Sequence, residues 1–191
     1  MAKQHKSEAA PASIESLSAT GSVRGVFFSL GTTPSSDPQL DCAKAIIDLF
    51  ASAKKTAHVA IYTLTESRIM DAMIAARKRG VKVAVVADAS ESDPNKNPFQ
   101  AQLIHKLVQG GVEVHVATRQ TALMHNKVGI FDSQTVCTGS FNWTNQAEKQ
   151  NDENLVVLDG ASVAAAYEKY VFQRILKNET MVSPVLSVPS Q

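Results

Sequence analysis

The sequence predicts an α/β fold, a mixed and largely parallel sheet with helices on both faces. Short apolar runs that read as strands recur between Val23 and Leu158, and segments with apolar residues at helical spacing alternate with them. At 191 residues, a chain also hides roughly 70% of its unfolded surface on folding, so both faces of such a sheet can be covered.

Residues 23–30 form the first strand candidate, followed by the turn-rich Gly31-Thr32-Thr33-Pro34-Ser35-Ser36. Leu40, Ala43, Ile46, Ile47, Phe50 and Ala53 follow helical spacing. Residues 58–64 read as a buried strand. Thr65 or Ser67 caps the next helix, whose face carries Ile69, Met73, Ile74 and Ala76. It stops at Arg77-Lys78-Arg79 with Gly80 beyond, basic residues in a last turn with glycine after it. A strand over 81–87 leads into a polar loop over 88–98. A helix around Phe99, Leu103, Leu107 and Val108 ends at Gly110-Gly111. Strands follow over 112–117, 124–131 and 135–139, the last two joined by a tight Asp132-Ser133-Gln134 turn. A loop, a strand over 154–158 and a closing helix over about 162–177 complete the pattern. Residues 1–22 are polar and read as a disordered arm, 23–178 as one domain, and 179–191, with Pro184 and Pro189, as a flexible tail.

Composition excludes several classes. Hydrophobic residues are 44% and charged residues 19%, ordinary for a globular protein. No run approaches the 18 apolar residues of a membrane-spanning helix. Lys+Arg 19 against Asp+Glu 18 gives no strong field toward polyanions, so any such site must be local. Cys42 and Cys137 lack the C-x₂-C spacing of a zinc site; they could pair, but read as buried small hydrophobes. The basic start Met1-Ala2-Lys3-Gln4-His5-Lys6 has no apolar run after it, so the expected compartment is the cytoplasm by default, or the periplasm or exterior if a leader was removed.

The chemistry lies in residues 124–143. On a strand, His125 and Lys127 leave the same face. An imidazole beside an ammonium suits an anion better than a core, because both groups need partners. Gly129, next on that face, has no side chain to block a ligand. Ser140 and Asn142 offer a hydroxyl and an amide to phosphoryl oxygens. These four side chains describe a phosphodiester site without a metal; no cofactor is expected.

The segment resembles the phospholipase D superfamily signature H-x-K-x₄-D-x₆-G-S-x-N at His125, Lys127, Asp132, Gly139, Ser140 and Asn142. Asn151-Asp152-Glu153-Asn154 resembles the N-D-E-N stretch that often follows it. The resemblance implies one superfamily repeat per chain and a catalytic set of His125, Lys127, Asp132 and Glu153. Lys127, Ser140 and Asn142 bind phosphate, and Glu153 orients His125. Asp132 opens a tight turn at odd spacing from Lys127, so it is expected to hold the motif's structure and move no proton. His5, His58, His105 and His115 are not followed by x-Lys, so the motif occurs once. The family mechanism uses two facing histidines, and single-motif members resemble the family's small nucleases, which build one site across a homodimer axis. One His125 would attack phosphorus, and the second would protonate the leaving oxygen and then activate water.

Other residues keep two readings. Trp143 is a base-stacking platform or a packing residue. Arg119 is a phosphate contact or a solvated charge. Arg77-Lys78-Arg79 reads as a helix C-terminus rather than a nucleic-acid patch. The loop over 88–98 borders the cleft or stands apart from it. The expected function is a sequence-nonspecific, metal-independent endonuclease cleaving DNA, with RNA left open. The alternative is a phospholipase D-type lipid phosphodiesterase acting on phosphatidyl or cardiolipin substrates. It has no basic amphipathic helix behind it, so no stable membrane association is expected. A catalytically dead nucleic-acid-binding relic would lack His125 or Lys127, and both are present.

Overall fold

The computed structural model describes residues 19–31, 37–117, 122–177 and 179–181. Among these residues eight strands form one sheet: β1 (Ser22–Leu30), β2 (Thr56–Ile61), β3 (Lys82–Asp88), β4 (Glu113–Ala117), β5 (Lys127–Phe131), β6 (Thr135–Gly139), β7 (Asp152–Asp159) and β8 (Glu179–Met181). Their order across the sheet is β1-β7-β6-β5-β2-β3-β4-β8. The helices are α1 (Cys42–Ser52), α2 (Ser67–Lys78), α3 (Ala89–Ser92), α4 (Pro98–Gln109), α5 (Asn145–Lys149), α6 (Ala161–Tyr167) and α7 (Arg174–Leu176), the last two joined by a π-helical stretch, Glu168–Gln173.

The α/β class and the helices on both faces match the expectation; the largely parallel sheet does not. Only β2–β3 and β3–β4 run parallel. The pairs β1–β7, β2–β5, β4–β8, β5–β6 and β6–β7 are antiparallel. A parallel pair needs a crossover of about a dozen residues or more, usually a helix, which α2 and α4 supply. The Asp132-Ser133-Gln134 turn between β5 and β6 is too short for that. Asp132 and Ser133 both sit at positive φ, 53° and 54°, with Gln134 N–H donating to the Phe131 carbonyl at 3.0 Å. That is the turn geometry matched to a twisted hairpin.

Two apolar layers sandwich the sheet. One buries Ile46, Phe50, Ile69, Met73 and Leu107 of α1, α2 and α4 against Val59, Val85 and Phe131. The other buries Ala164, Phe172 and Ile175 of the closing helical segment against Ala60, Val86 and Ile130. The closing helix expected over 162–177 is thus one segment with a wider turn in its middle. There Glu168 accepts from His58 Nδ1 at 2.9 Å and Phe172 stacks on the His58 ring at 4.5 Å.

Several boundaries differ from expectation. Strand β2 ends at Ile61, beyond which Tyr62 N–H donates to the Asn126 carbonyl at 2.8 Å and Thr63 accepts from Trp143 N–H at 3.1 Å. The α2 cap is neither Thr65 nor Ser67 but Glu66, whose carboxylate accepts from Arg68 N–H. Helices α3 and α5 interrupt segments expected as loops, each too short to show an amphipathic period. Residues 1–18 of the expected arm lie outside the described residues, but Thr20 already accepts from Ser162 Oγ and β1 starts at Ser22. The expected tail opens as strand β8, paired with β4, and continues outside the described residues. Cys42 and Cys137 are buried, as expected, and free, which settles the pairing left open by the sequence; burial pushes each thiol up to about 12.

Candidate active site

All the signature residues except Asp132 gather at the end of the sheet where β1, β2 and β3 finish. Antiparallel pairing sets this end: Lys127, first in β5, faces Ile61, last in β2, and Leu30, last in β1, faces Asp152, first in β7.

His125 lies in extended chain just before β5, not on a regular strand, and is exposed. Its expected proximity to Lys127 holds. Lys127 Nζ is 3.0 Å from Nδ1, 3.0 Å from Nε2 and 3.0 Å from the His125 carbonyl oxygen. Lys127 is only 6% exposed. Burial pushes its ammonium below the usual lysine range, while the Glu153 carboxylate opposes that shift. An ammonium donates to a ring nitrogen only where that nitrogen keeps its lone pair, and a nucleophilic imidazole needs the same lone pair. Tyr62 forms the other wall. Its ring lies 4.6 Å from the His125 ring and 5.2 Å below Lys127 Nζ, a cation–π distance.

Two further carboxylates fix this corner from β3 and α3. Asp88, 3% exposed, accepts at Oδ2 from Met124 N–H at 2.7 Å and at Oδ1 from Ser90 N–H and Oγ. It therefore holds the backbone one residue before His125. Glu91 accepts from Tyr62 OH at 3.2 Å and from Asn97 Nδ2 at 3.2 Å. Burial, then the Glu91 charge and hydrogen bond, raise the Tyr62 phenol above its usual range. The loop over 88–98 thus borders the site.

Ser140 and Glu153 are brought together on the β6 and β7 side. Ser140 Oγ donates to Glu153 Oε2 at 2.5 Å and accepts from Asn154 N–H at 3.1 Å. Asn151 Nδ2 donates to Glu153 Oε1 at 3.0 Å. Within the chain both Glu153 oxygens are thus engaged by Ser140 and Asn151, and no hydrogen bond joins it to His125. Its link to the pair is Coulombic, through Lys127. Gly139 is glycine because β7 passes close: a Cβ there would collide with the Asn154 carbonyl. Asn142 Oδ1 is buried with no hydrogen-bond partner among the described residues.

One expectation needs correction, that Gly129 leaves room for a ligand, and two residues take one of their readings. Gly129 leaves room for the core rather than for a ligand: it is buried, and a Cβ there would meet Phe131 at 2.9 Å and Cys137 Sγ at 3.0 Å. Trp143 is fully buried, edge-on to Phe50 at 6.2 Å, so it anchors the signature loop and is closed to a base. Asp132, expected to hold the motif's structure, stands at the opposite end of β5 from His125 and Lys127. Its carboxylate accepts from Lys54, Lys55 and Thr56 N–H at 2.8, 2.6 and 2.9 Å. Burial opposes its ionisation, but those donors outweigh it and hold the carboxyl below the usual range.

The remaining candidates are placed plainly. Arg77 Nε donates to the Gly111 carbonyl and Arg79 to the Phe50 carbonyl, as a helix end would. Arg119 lies outside the described residues. His105 contacts Gln109 and His115 contacts Glu113, both away from the signature. Sequence reading missed Tyr62, Asp88 and Glu91. Their one signal was polar side chains at the carboxyl ends of apolar strands, where α/β sheets place ligands. Among the described residues no cluster of His, Cys, Asp and Glu could hold a metal ion, and no helix is long and apolar enough to cross a membrane.

A family model described as "Cardiolipin synthase, PLD-like domain" matches residues 46–176. A protein named phospholipase D from Rickettsia bellii (strain RML369-C) is 34% identical over 141 residues, 74% of this chain and 67% of the relative. A protein named mitochondrial cardiolipin hydrolase from Chlamydomonas reinhardtii is 31% identical over 123 residues, 64% of this chain and 52% of the relative. The chain thus spans about two thirds of the first relative and about half of the second. The crystal structure of the phospholipase D family member Nuc from Salmonella typhimurium matches with a TM-score of 0.72 at 27% identity, over 85% of this chain and 99% of that one. NucT from Helicobacter pylori matches with a TM-score of 0.64 at 24% identity, over 83% of this chain and all of that one, a likeness of fold.

Proposed function

The chain belongs to the phospholipase D superfamily of phosphodiesterases, and from that premise we propose that it is a sequence-nonspecific endonuclease with a site shared by two copies. The observation that carries the reading is the 3.0 Å contact between Lys127 Nζ and the exposed His125 ring, present once per chain. The likeness to Nuc over nearly its whole length, at 27% identity, supports a small one-motif enzyme over a two-motif one.

In this reading a phosphodiester enters with its non-bridging oxygens against Lys127, Ser140 and Asn142. A His125 ring nitrogen attacks phosphorus, forming the P–N bond as the P–O bond to the leaving group breaks. The second copy's His125 donates its proton to that oxygen. It then takes a proton from water, which attacks phosphorus and frees His125. The Lys127 ammonium and the Asn142 amide meet the charge that grows on the phosphoryl oxygens, the role metal ions fill in many nucleases. Phe28 and Leu30, 40% and 46% exposed, stand on edge strand β1 opposite Asn154 and Asp152. They offer apolar surface at the site's end of the sheet for the second copy.

A second reading is favoured by the relative named phospholipase D at 34% identity: a lipid phosphodiesterase using the same groups. Plasmid nicking in excess chelator separates them. Cleavage by wild type and none by His125→Ala supports the nuclease. A folded, dimeric wild type that leaves plasmid intact and hydrolyses phosphatidyl substrates sinks it.

A further inference from the structure

Beside the signature lies a cavity of about 430 Å³, walled by Thr63, Thr65, Glu91, Asn97, Asn142 and Gln146. Its volume falls within the range of small-ligand sites. We propose that it is a nucleoside-binding subsite, taking the base and sugar next to the scissile phosphate; this rests on the nuclease reading above.

Three links place the cavity next to the chemistry. Asn142 is itself a signature residue and part of the wall. Glu91 holds the OH of Tyr62, whose ring packs on His125. Asn151, also in the wall, donates to Glu153, which holds Ser140. A phosphate held by His125 and Lys127 therefore has this cavity beside it.

The lining decides what enters. It consists of hydroxyls, carboxamides and one carboxylate, with no Lys, Arg or aliphatic side chain. A second phosphate is disfavoured, because Glu91 would repel it with no cation to compensate. An acyl chain is disfavoured, because its burial would strand the amides. A quaternary ammonium headgroup would lack the aromatic cage it needs. What fits is a neutral group presenting donors and acceptors together. A base edge does so whichever base it belongs to, because a side-chain amide presents a donor and an acceptor and can turn either one toward it. The wall also has capacity to spare. Among the described residues Asn142 Oδ1 is buried without a partner, and the side chains of Thr65 and Gln146 make no hydrogen bond. A base reaches such a cavity only when unstacked and unpaired, so single strands should be preferred to duplex.

The test uses the double variant Thr65→Val, Gln146→Ala, which removes two wall groups without breaking a bond in the fold. Substrates are a labelled single-stranded oligonucleotide, the same strand with abasic residues, bis(p-nitrophenyl) phosphate, and phosphatidylglycerol vesicles. Wild type should cleave the base-bearing strand with a kcat/KM about tenfold above the abasic one, roughly the worth of one or two added hydrogen bonds. The double variant should lose most of that ratio while keeping its rate on bis(p-nitrophenyl) phosphate. Equal wild-type rates on the two strands overturn the subsite and leave the nuclease standing. Loss of bis(p-nitrophenyl) phosphate hydrolysis in the variant also overturns the subsite, because it puts the two side chains in the chemistry or the fold. Vesicle cleavage with both strands untouched overturns the nuclease reading and the subsite with it.

Discussion

Lys127 Nζ lies 3.0 Å from both ring nitrogens of His125 and from the His125 carbonyl oxygen. One buried ammonium therefore holds both the ring and the backbone of the exposed histidine proposed to react. A flexible lysine at the surface would do neither, and the burial that prevents flexing is the same burial that weakens its hold on the proton.

The first prediction is an alkaline limb. Because burial lowers the Lys127 ammonium and Glu153 opposes that shift, activity should fall as pH rises at values below the ordinary lysine range. Glu153→Gln removes the opposing charge, so its limb should move to lower pH. The measurement is a kcat/KM profile on bis(p-nitrophenyl) phosphate between pH 7 and 11. A limb that stays put in the variant would detach Glu153 from Lys127.

The second concerns Asp88, which holds Met124 N–H at 2.7 Å. Asp88→Asn exchanges one accepting oxygen for a donor and leaves an N–H facing an N–H. The cost in stability should be about 2 kcal/mol, and the loosened His125 should lower kcat about tenfold with little change in KM. A KM effect alone would mean that Asp88 acts on binding instead.

The third separates the signature aspartate from the reaction. Asp132 accepts three backbone N–H groups of the segment leading into β2. Asp132→Asn should cost about 2 kcal/mol in urea unfolding and leave the rate per folded molecule within about twofold. Its folded carboxyl is held below the usual range, so the stability it adds is present at neutral pH and lost as pH falls through that lowered value. The variant should therefore lose less stability than wild type on acidification.

Local patterns explain what was legible in the chain. The runs from Val83 to Ala87 and the period through Ile46 and Phe50 each report one element and its buried face, and both were readable. His125 and Lys127 lie two residues apart, so their meeting needed only extended chain. Tyr62 and Asp88 reach His125 from other strands, and no spacing announces them. Gly129 was open to two uses, and only the ring of Phe131 and the sulfur of Cys137 decide between them. The strand directions were misjudged for a similar reason. The three-residue turn at Asp132 already required one antiparallel pair, but the pairings of β1 with β7 and β5 with β2 are set by distant partners.

The last prediction lies behind the site, at Glu148 of α5. Its Oε2 accepts from Ala43 N–H at 3.0 Å in the first turn of α1, with Arg68 Nη2 3.9 Å from its other oxygen. Burial and a hydrogen bond to Asp41 push its carboxyl up to about 8. The folded protein thus binds this proton more tightly than the unfolded chain does. The stability it contributes is complete below the ordinary carboxylate range and is lost as pH rises through about 8. Glu148→Gln keeps both hydrogen-bonding partners and cannot ionise. It should be more stable than wild type at pH 9 by something on the order of 2 kcal/mol, and equal to it at pH 4. Urea titrations at the two values read the difference directly. Parallel pH curves for the two proteins would show that Glu148 is ionised in the fold and that Arg68, rather than a shared proton, holds it beside Asp41.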